Sequence, residues 1–178
     1  MVQLASIVFH ELRHYAAASC LGYKATLHYA LTTWPRFEQM PRPQAAFAVG
    51  VAPLGDAVLA AAGLVWLYRL RGNRREAVPS LVDWLATILA AQAWRWLRGF
   101  FGSPSNPQPG DEAFISRALD MPAWLLPYLL ALLCLIPLRA MIRLHPPGAR
   151  LLPFTCLLVG ACAGGVVRLN LLGPHLLP

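Results

Sequence analysis

The sequence has few charged residues, and this limits the solvent in which the chain can fold. Only 13% of its 178 residues are charged, whereas 57% are hydrophobic, and the mean hydropathy is +0.51. Soluble domains contain about 25% charged residues. The apolar residues form runs long enough to cross about 30 Å of hydrocarbon, and most of these runs lack the polar face of an amphipathic helix. A chain this short cannot bury several such helices in a soluble core, so we expect a membrane protein.

The four cysteines lack the paired spacing that would indicate a zinc ribbon or a disulfide framework. No two of them are separated by only two residues, and all lie in apolar runs, at Cys20, Cys134, Cys156 and Cys162. We therefore expect them to be small packing residues.

Nucleic acid is not an expected partner, although the formal net charge is +7. The arginines lie mainly at the ends of apolar runs and are not interleaved with aromatic residues in one patch. Lipid headgroups and the preference for positive charge at one membrane face explain this distribution better. The expected partner is the lipid bilayer, and the expected location is a bacterial-type cytoplasmic membrane.

Five apolar runs predict an all-α polytopic membrane protein with about five membrane-spanning helices. The predicted spans are residues 2–21, 45–67, 79–101, 123–142 and 151–172. Residues 23–43 contain alternating threonines and then three prolines, which predicts a short hairpin or loop at the membrane surface. No separate soluble domain is indicated. Residues 1–178 are therefore expected to form one integral membrane domain, with a core at 1–119 and two additional helices in 120–178.

The first predicted span contains ionisable residues at the spacing of a zinc site, His10-Glu11-Leu12-Arg13-His14. Helical residues four apart lie about 40° apart around the axis, so the two histidines can direct their nitrogens at one ion. In zinc hydrolases with this spacing, the glutamate accepts a proton from the attacking water and passes it to the leaving group. The alternative is a buried polar network that joins helices without a metal.

A catalytic zinc commonly has three protein ligands, so a third ligand must come from elsewhere. Asp111 is the leading candidate because it follows a helix-breaking segment, residues 102–110, that can bring a carboxylate to a metal beside lipid. Its neighbour Glu112 is an alternative ligand. Asp56, inside the second span, is another, and it could instead contact substrate or form a hydrogen bond between helices. Asp111 could also cap the helix that begins at Glu112.

These motifs resemble the site-2 protease family of intramembrane zinc metalloproteases. That family pairs an H-E-x-x-H helix with a later segment similar to N-P-x-P-x-L-D-G, and here residues 106–112 are Asn-Pro-Gln-Pro-Gly-Asp-Glu. Residues 50–56 are similar to the small-residue Gly-Pro motif of the family's intervening core helix. The resemblance covers residues 2–119, and the last two predicted spans carry no motif that belongs to it.

The resemblance implies a role for each motif residue. His10, His14 and Asp111 would bind Zn²⁺, and Glu11 would be the catalytic base. Asn106 would help to position a strand of substrate.

The implied activity is hydrolysis of peptide bonds in membrane-spanning protein substrates. Three departures from the family pattern are present. Arg13 replaces a small residue, and Glu112 replaces the glycine after the aspartate. One residue is also missing between Pro109 and the aspartate. Two alternatives therefore stay open. One is a catalytically inactive membrane scaffold or chaperone of the same fold, and the other is a zinc-dependent membrane hydrolase of a non-peptide substrate.

Overall fold

Helices make up most of the chain in the computed structural model, which describes residues 2–28, 31–35, 37–71, 79–97 and 110–166. The α-helices and strands are α1 (Val2–Cys20), β1 (Thr26–Leu27), β2 (Thr32–Thr33), α2 (Arg42–Arg71), α3 (Leu81–Ala90), α4 (Asp111–Ala118), α5 (Leu125–Leu133), α6 (Leu135–Leu144) and α7 (Leu151–Val166). Short 3₁₀ segments are Phe37–Gln39, Ala91–Leu97 and Pro147–Ala149. The two strands pair antiparallel. The predicted helical fold with a short hairpin after the first helix is confirmed.

Two helical stretches within the described residues have the length and composition of membrane-crossing helices. They are α2, with 30 residues, and the 20-residue stretch Leu125–Leu144 that α5 and α6 form together. A helix rises about 1.5 Å per residue, so each stretch can cross about 30 Å of hydrocarbon. Both coincide with predicted spans. The expected total of about five spans is not supported by the described helices.

The third predicted span, residues 79–101, shows why the count differs. Its helix begins with a capping box, in which the Asp83 backbone N–H donates to the Ser80 hydroxyl and the Ser80 N–H donates to the Asp83 carboxylate. The α-helix ends after ten residues, and Ala91–Leu97 continues as a 3₁₀ helix. Ten α-helical residues rise only about 15 Å, so α3 does not span hydrocarbon by itself.

The chain divides into two compact units. The first comprises Met1–Gly55, Pro107–Leu126 and Gly160–Pro178, and the second comprises Asp56–Asn106 and Pro127–Val159. The buried apolar core of the first unit consists of Ala17, Met40, Ala45 and Ala48. The core of the second unit consists of Ala60, Leu67, Ala86, Ala90, Ala93, Cys134, Leu138 and Met141. Alanine is common in both cores, which lets helix backbones approach closely.

In the second unit, α2 and α3 approach closely at Gly63. A Cβ atom added to Gly63 would lie against the backbone nitrogen of Ala90 and 2.6 Å from the Cβ of Leu89. These atoms belong to the helix itself and cannot move aside as the end of a long side chain can. The missing side chain at Gly63 is therefore required for this packing.

Gly63→Ala is expected to lower the free energy of unfolding by about 1–3 kcal/mol, because the added methyl group must push α3 away from α2. Gly160→Ala is the matched control, since a Cβ atom there would meet nothing within 4 Å and alanine favours helix. Thermal unfolding of the two purified variants beside wild type measures the difference. Equal midpoints for the two variants would contradict the close packing.

Candidate metal centre

One face of α1 carries two buried histidines, one helical turn apart. His10 and His14 are 3% and 4% exposed, and their Nε2 atoms lie 3.2 Å apart. The rings meet edge to face, with centroids 4.8 Å apart. The helical spacing therefore brings both imidazoles to one point, as the sequence predicts.

Asp111 reaches the same point from almost a hundred residues further along the chain. Its Oδ2 atom lies 2.9 Å from His10 Nε2 and 3.2 Å from His14 Nε2. Asp111 is the first residue of α4, whose N-cap is Gly110 and has no side-chain capping bond. The alternative role of Asp111 as the N-cap is therefore wrong. Its carboxylate faces the histidines instead of the helix terminus.

The three ligand atoms form a group that can hold a metal ion. Their separations of 2.9, 3.2 and 3.2 Å are close to the distance of about 3.3 Å between neighbouring ligands of a tetrahedral zinc ion with bonds of about 2.0–2.1 Å. Two imidazoles and one carboxylate are also a common donor set of catalytic zinc sites, which leaves the fourth position for water or substrate. The residues thus fit zinc in both geometry and chemistry.

The backbone of α2 orients one of the histidines. His14 Nδ1 donates a hydrogen bond of 2.9 Å to the carbonyl oxygen of Ala48, so when the ring is neutral its Nε2 lone pair faces His10 and Asp111. A lone pair that faces a carboxylate is repelled unless a proton or a metal cation lies between them. The arrangement therefore favours positive charge where the three groups meet.

The carboxyl of Asp111 is held in its ionised form. Burial alone would raise its pKa, but the hydrogen bonds and charges of His10 and His14 more than compensate and lower the pKa well below its usual value. An ionised carboxylate is the form that binds a metal ion.

Glu11 is buried on α1 and contacts the second strand of the hairpin. The Thr32 hydroxyl lies 2.8 Å from the backbone oxygen of Glu11 and 3.2 Å from its carboxylate Oε2, and it can donate to either oxygen. In the hairpin register Thr32 pairs with Leu27. The alternating sequence predicts a hairpin here, but it carries no signal that Thr32 reaches Glu11. Thr32 is thus a site residue that the sequence analysis missed.

A cleft of about 360 Å³ opens beside Asp111. Thr32 and Asp111 both line it, together with aromatic side chains that include Trp34, Phe37 and Phe114. Since Thr32 also contacts Glu11, a molecule in the cleft would meet the candidate ligand and the residue that holds the candidate base. The volume lies within the range of small-molecule sites.

The other candidate residues are not part of this group of three. Asp56 is buried in the second unit and forms an ion pair with Arg95, with Oδ2 and Nε 3.5 Å apart. Of the roles that the sequence left open for Asp56, this ion pair corresponds to a polar contact between helices. Glu112 is half-buried, and the three-residue group does not include it. Asn106 lies outside the described residues.

Arg13, the unusual residue of the motif, lies over a glycine of α2. A Cβ atom at Gly55 would be 2.6 Å from Arg13 Nε, and Arg13 Nη1 donates a hydrogen bond of 3.4 Å to the carbonyl oxygen of Ala52. The space above Gly55 therefore accommodates the guanidinium that replaces a small residue in the family pattern. Gly55 belongs to the small-residue segment noted in the sequence, but the sequence does not show that it faces Arg13.

Asp111→Asn is expected to reduce bound zinc from about one ion per chain to a small fraction, because a neutral amide is a poor zinc ligand. Glu112→Gln is the matched control, since it removes the same charge from the adjacent residue and should retain the metal. Elemental analysis of both purified proteins, with thermal unfolding as a check on folding, measures the effect. Zinc lost from the Glu112 variant and kept by the Asp111 variant would identify Glu112 as the ligand.

Comparison of the chain with known proteins finds no match among protein-family models, curated proteins or solved structures. What the chain does must therefore be argued from its own residues. The argument rests on three side chains that converge beside Glu11 and a cleft.

Proposed function

We propose that this protein is an intramembrane zinc metalloprotease of the site-2 protease type, which hydrolyses peptide bonds of membrane-embedded protein substrates. The observation that carries the proposal is the convergence of His10, His14 and Asp111 within 3.2 Å of one another. Two features support it further: Glu11 follows His10 directly on the same helix, and an open cleft adjoins Asp111.

Each residue has a defined task in this proposal. His10, His14 and Asp111 hold zinc, which when bound supplies a Lewis acid for the scissile carbonyl and the attacking water. Glu11 accepts a proton from the water as its oxygen bonds to the carbonyl carbon, and delivers that proton to the leaving nitrogen as the C–N bond breaks. The Thr32 hydroxyl contacts both the backbone oxygen and the carboxylate of Glu11, and it thereby helps to position that carboxylate.

The proposed setting is an integral membrane protein of a bacterial-type cytoplasmic membrane. Support comes from the two helical stretches of sufficient length and from large apolar side chains on their surfaces, such as Val58 and Ile136, which are 61% and 65% exposed. Hydrocarbon is a favourable solvent for such side chains. In this polytopic arrangement α1 and α7 are further membrane helices, and α1 carries the ionisable motif into the bundle.

Glu11→Gln is expected to lower the rate of peptide hydrolysis by about 10²–10⁴-fold while zinc content is unchanged, because the amide cannot accept the proton. Glu38→Gln, at an exposed glutamate in Phe37–Gln39, is the matched control. Cleavage of a membrane-spanning test substrate in proteoliposomes provides the rate, and elemental analysis provides the zinc content.

Three other outcomes would contradict the proposed mechanism or the proposed function. Hydrolysis that survives Glu11→Gln would remove Glu11 from the mechanism. Wild type that folds without zinc would favour the inactive scaffold. Zinc-dependent turnover of a lipid or small amide, with peptides left intact, would favour the non-peptide hydrolase.

Thr32→Val is expected to lower kcat about fivefold, since it removes a hydrogen bond worth about 1 kcal/mol from Glu11. Thr32→Ser retains the hydroxyl and should restore most of the rate. Thr33→Val is the matched control, because the Thr33 hydroxyl contacts His28 instead of Glu11. Steady-state kinetics and zinc content distinguish the effects, and a loss confined to KM would mean that Thr32 only lines the cleft.

A further inference from the structure

A groove of about 580 Å³ lies between α2 and α6 in the second unit. Leu64, Val65, Ala140 and Leu144 contribute an apolar wall, and two arginines, Arg69 and Arg143, line the same groove. The proposed hydrolysis uses none of these residues.

The two helices end at the same level, which places both arginines at one end of the groove. Arg71, the last residue of α2, pairs with Asp83 of α3, with Nε and Oδ1 3.3 Å apart. His145, the C-cap of α6, lies 3.4 Å from the hydroxyl of Thr87, one turn further along α3. Arg69 and Arg143 belong to the last turns of α2 and α6, so they lie near this common end.

The charges of Arg69 and Arg143 are not neutralised by carboxylates of the described residues. Asp83, the described carboxylate at this end, pairs with Arg71 instead. Both groove arginines are exposed side chains. Among the described residues, this end of the groove therefore carries an excess of positive charge, which suits a ligand of opposite charge.

Exposed apolar side chains continue along α2 and α6 beyond the groove, in the direction away from the two arginines. Val58 precedes Val65 by seven residues and Ile136 precedes Arg143 by seven, so each lies on the same helix face about two turns earlier. Both side chains are largely exposed. An acyl chain that starts in the groove would thus keep apolar contact along both helices.

We propose that this groove binds one anionic phospholipid, with its phosphate against Arg69 and Arg143 and an acyl chain along Leu64, Val65 and Leu144. Basic sites between membrane helices are suited to such lipids, because a cationic end meets the headgroup level while an apolar wall meets the chains. A second copy of the protein fits less well, since a symmetric contact through this groove would bring four arginines together. The inference rests on the proposed membrane location, but not on zinc or peptide hydrolysis.

Native mass spectrometry of the full-length delipidated protein, titrated with phosphatidylglycerol or with phosphatidylcholine of the same acyl chains, tests the proposal. Wild type is expected to bind one phosphatidylglycerol, at least tenfold more tightly than phosphatidylcholine. The double variant Arg69→Gln/Arg143→Gln should bind phosphatidylglycerol roughly 30-fold more weakly, because each arginine near a lipid surface contributes about 1 kcal/mol, which is about fivefold in affinity.

Two further variants separate charge from shape. Arg117→Gln/Arg139→Gln removes two exposed arginines that do not line the groove, and it should bind like wild type. Ala140→Phe leaves the charge unchanged and fills the groove, so it should also weaken binding. Asp111→Asn should bind the lipid normally, which keeps a failure of the protease proposal distinct from a failure of this one.

Several results would overturn the lipid site. Equal affinity of wild type for the two lipids would show that the arginines do not select the headgroup. Equal losses of lipid affinity in the two double-arginine variants would show the same. Displacement of the lipid by glycerol phosphate at equal concentration would mean that the acyl chain is not seated. A dimer that binds no lipid and that Ala140→Phe dissociates would assign the groove to a second copy of the chain.

Discussion

The site depends on the close approach of three electron-rich groups, which a proton or a metal cation shared between them stabilises. Two imidazole nitrogens and a carboxylate oxygen meet within 3.2 Å, and the Ala48 carbonyl turns the lone pair of His14 into their midst. Burial limits the water that would otherwise separate such groups. A proton balances this charge partly, whereas a divalent metal ion with three ligands and one open position matches both its sign and its geometry.

In the first unit, small residues of α2 allow the two histidines and Asp111 to approach one another. Ala48 has no exposed surface and supplies its carbonyl to His14, so a larger residue there would push the two helices apart. Gly55 leaves room for the Arg13 guanidinium, and Gly50 has the Ile115 side chain of α4 as its nearest neighbour, 3.7 Å from a virtual Cβ. In the first unit, α2 therefore packs closely against both α1 and α4.

The second unit distributes its arginines between two environments. Arg71 and Arg95 are largely buried, and each has a carboxylate partner, Asp83 and Asp56. A buried charge needs such a partner because the low-dielectric interior solvates it poorly. Arg69 and Arg143 lie at the surface, and no described carboxylate pairs with them. Arg71 and Arg95 therefore form ion pairs within the second unit. Arg69 and Arg143 are exposed at its surface.

Features that depend on residues close along the chain can be predicted from the sequence alone. Helical spacing places His10 beside His14, and alternating threonines predict the hairpin. The described helices do not support the count of about five spans, in part because nothing in the composition indicates that Ala91–Leu97 is a 3₁₀ helix. The helix-breaking segment suggested Asp111 as a ligand but left Glu112 and Asp56 open. Only the tertiary structure decided which carboxylate reaches the histidines and that Thr32 holds Glu11, because contacts between distant residues depend on the path of the folded chain.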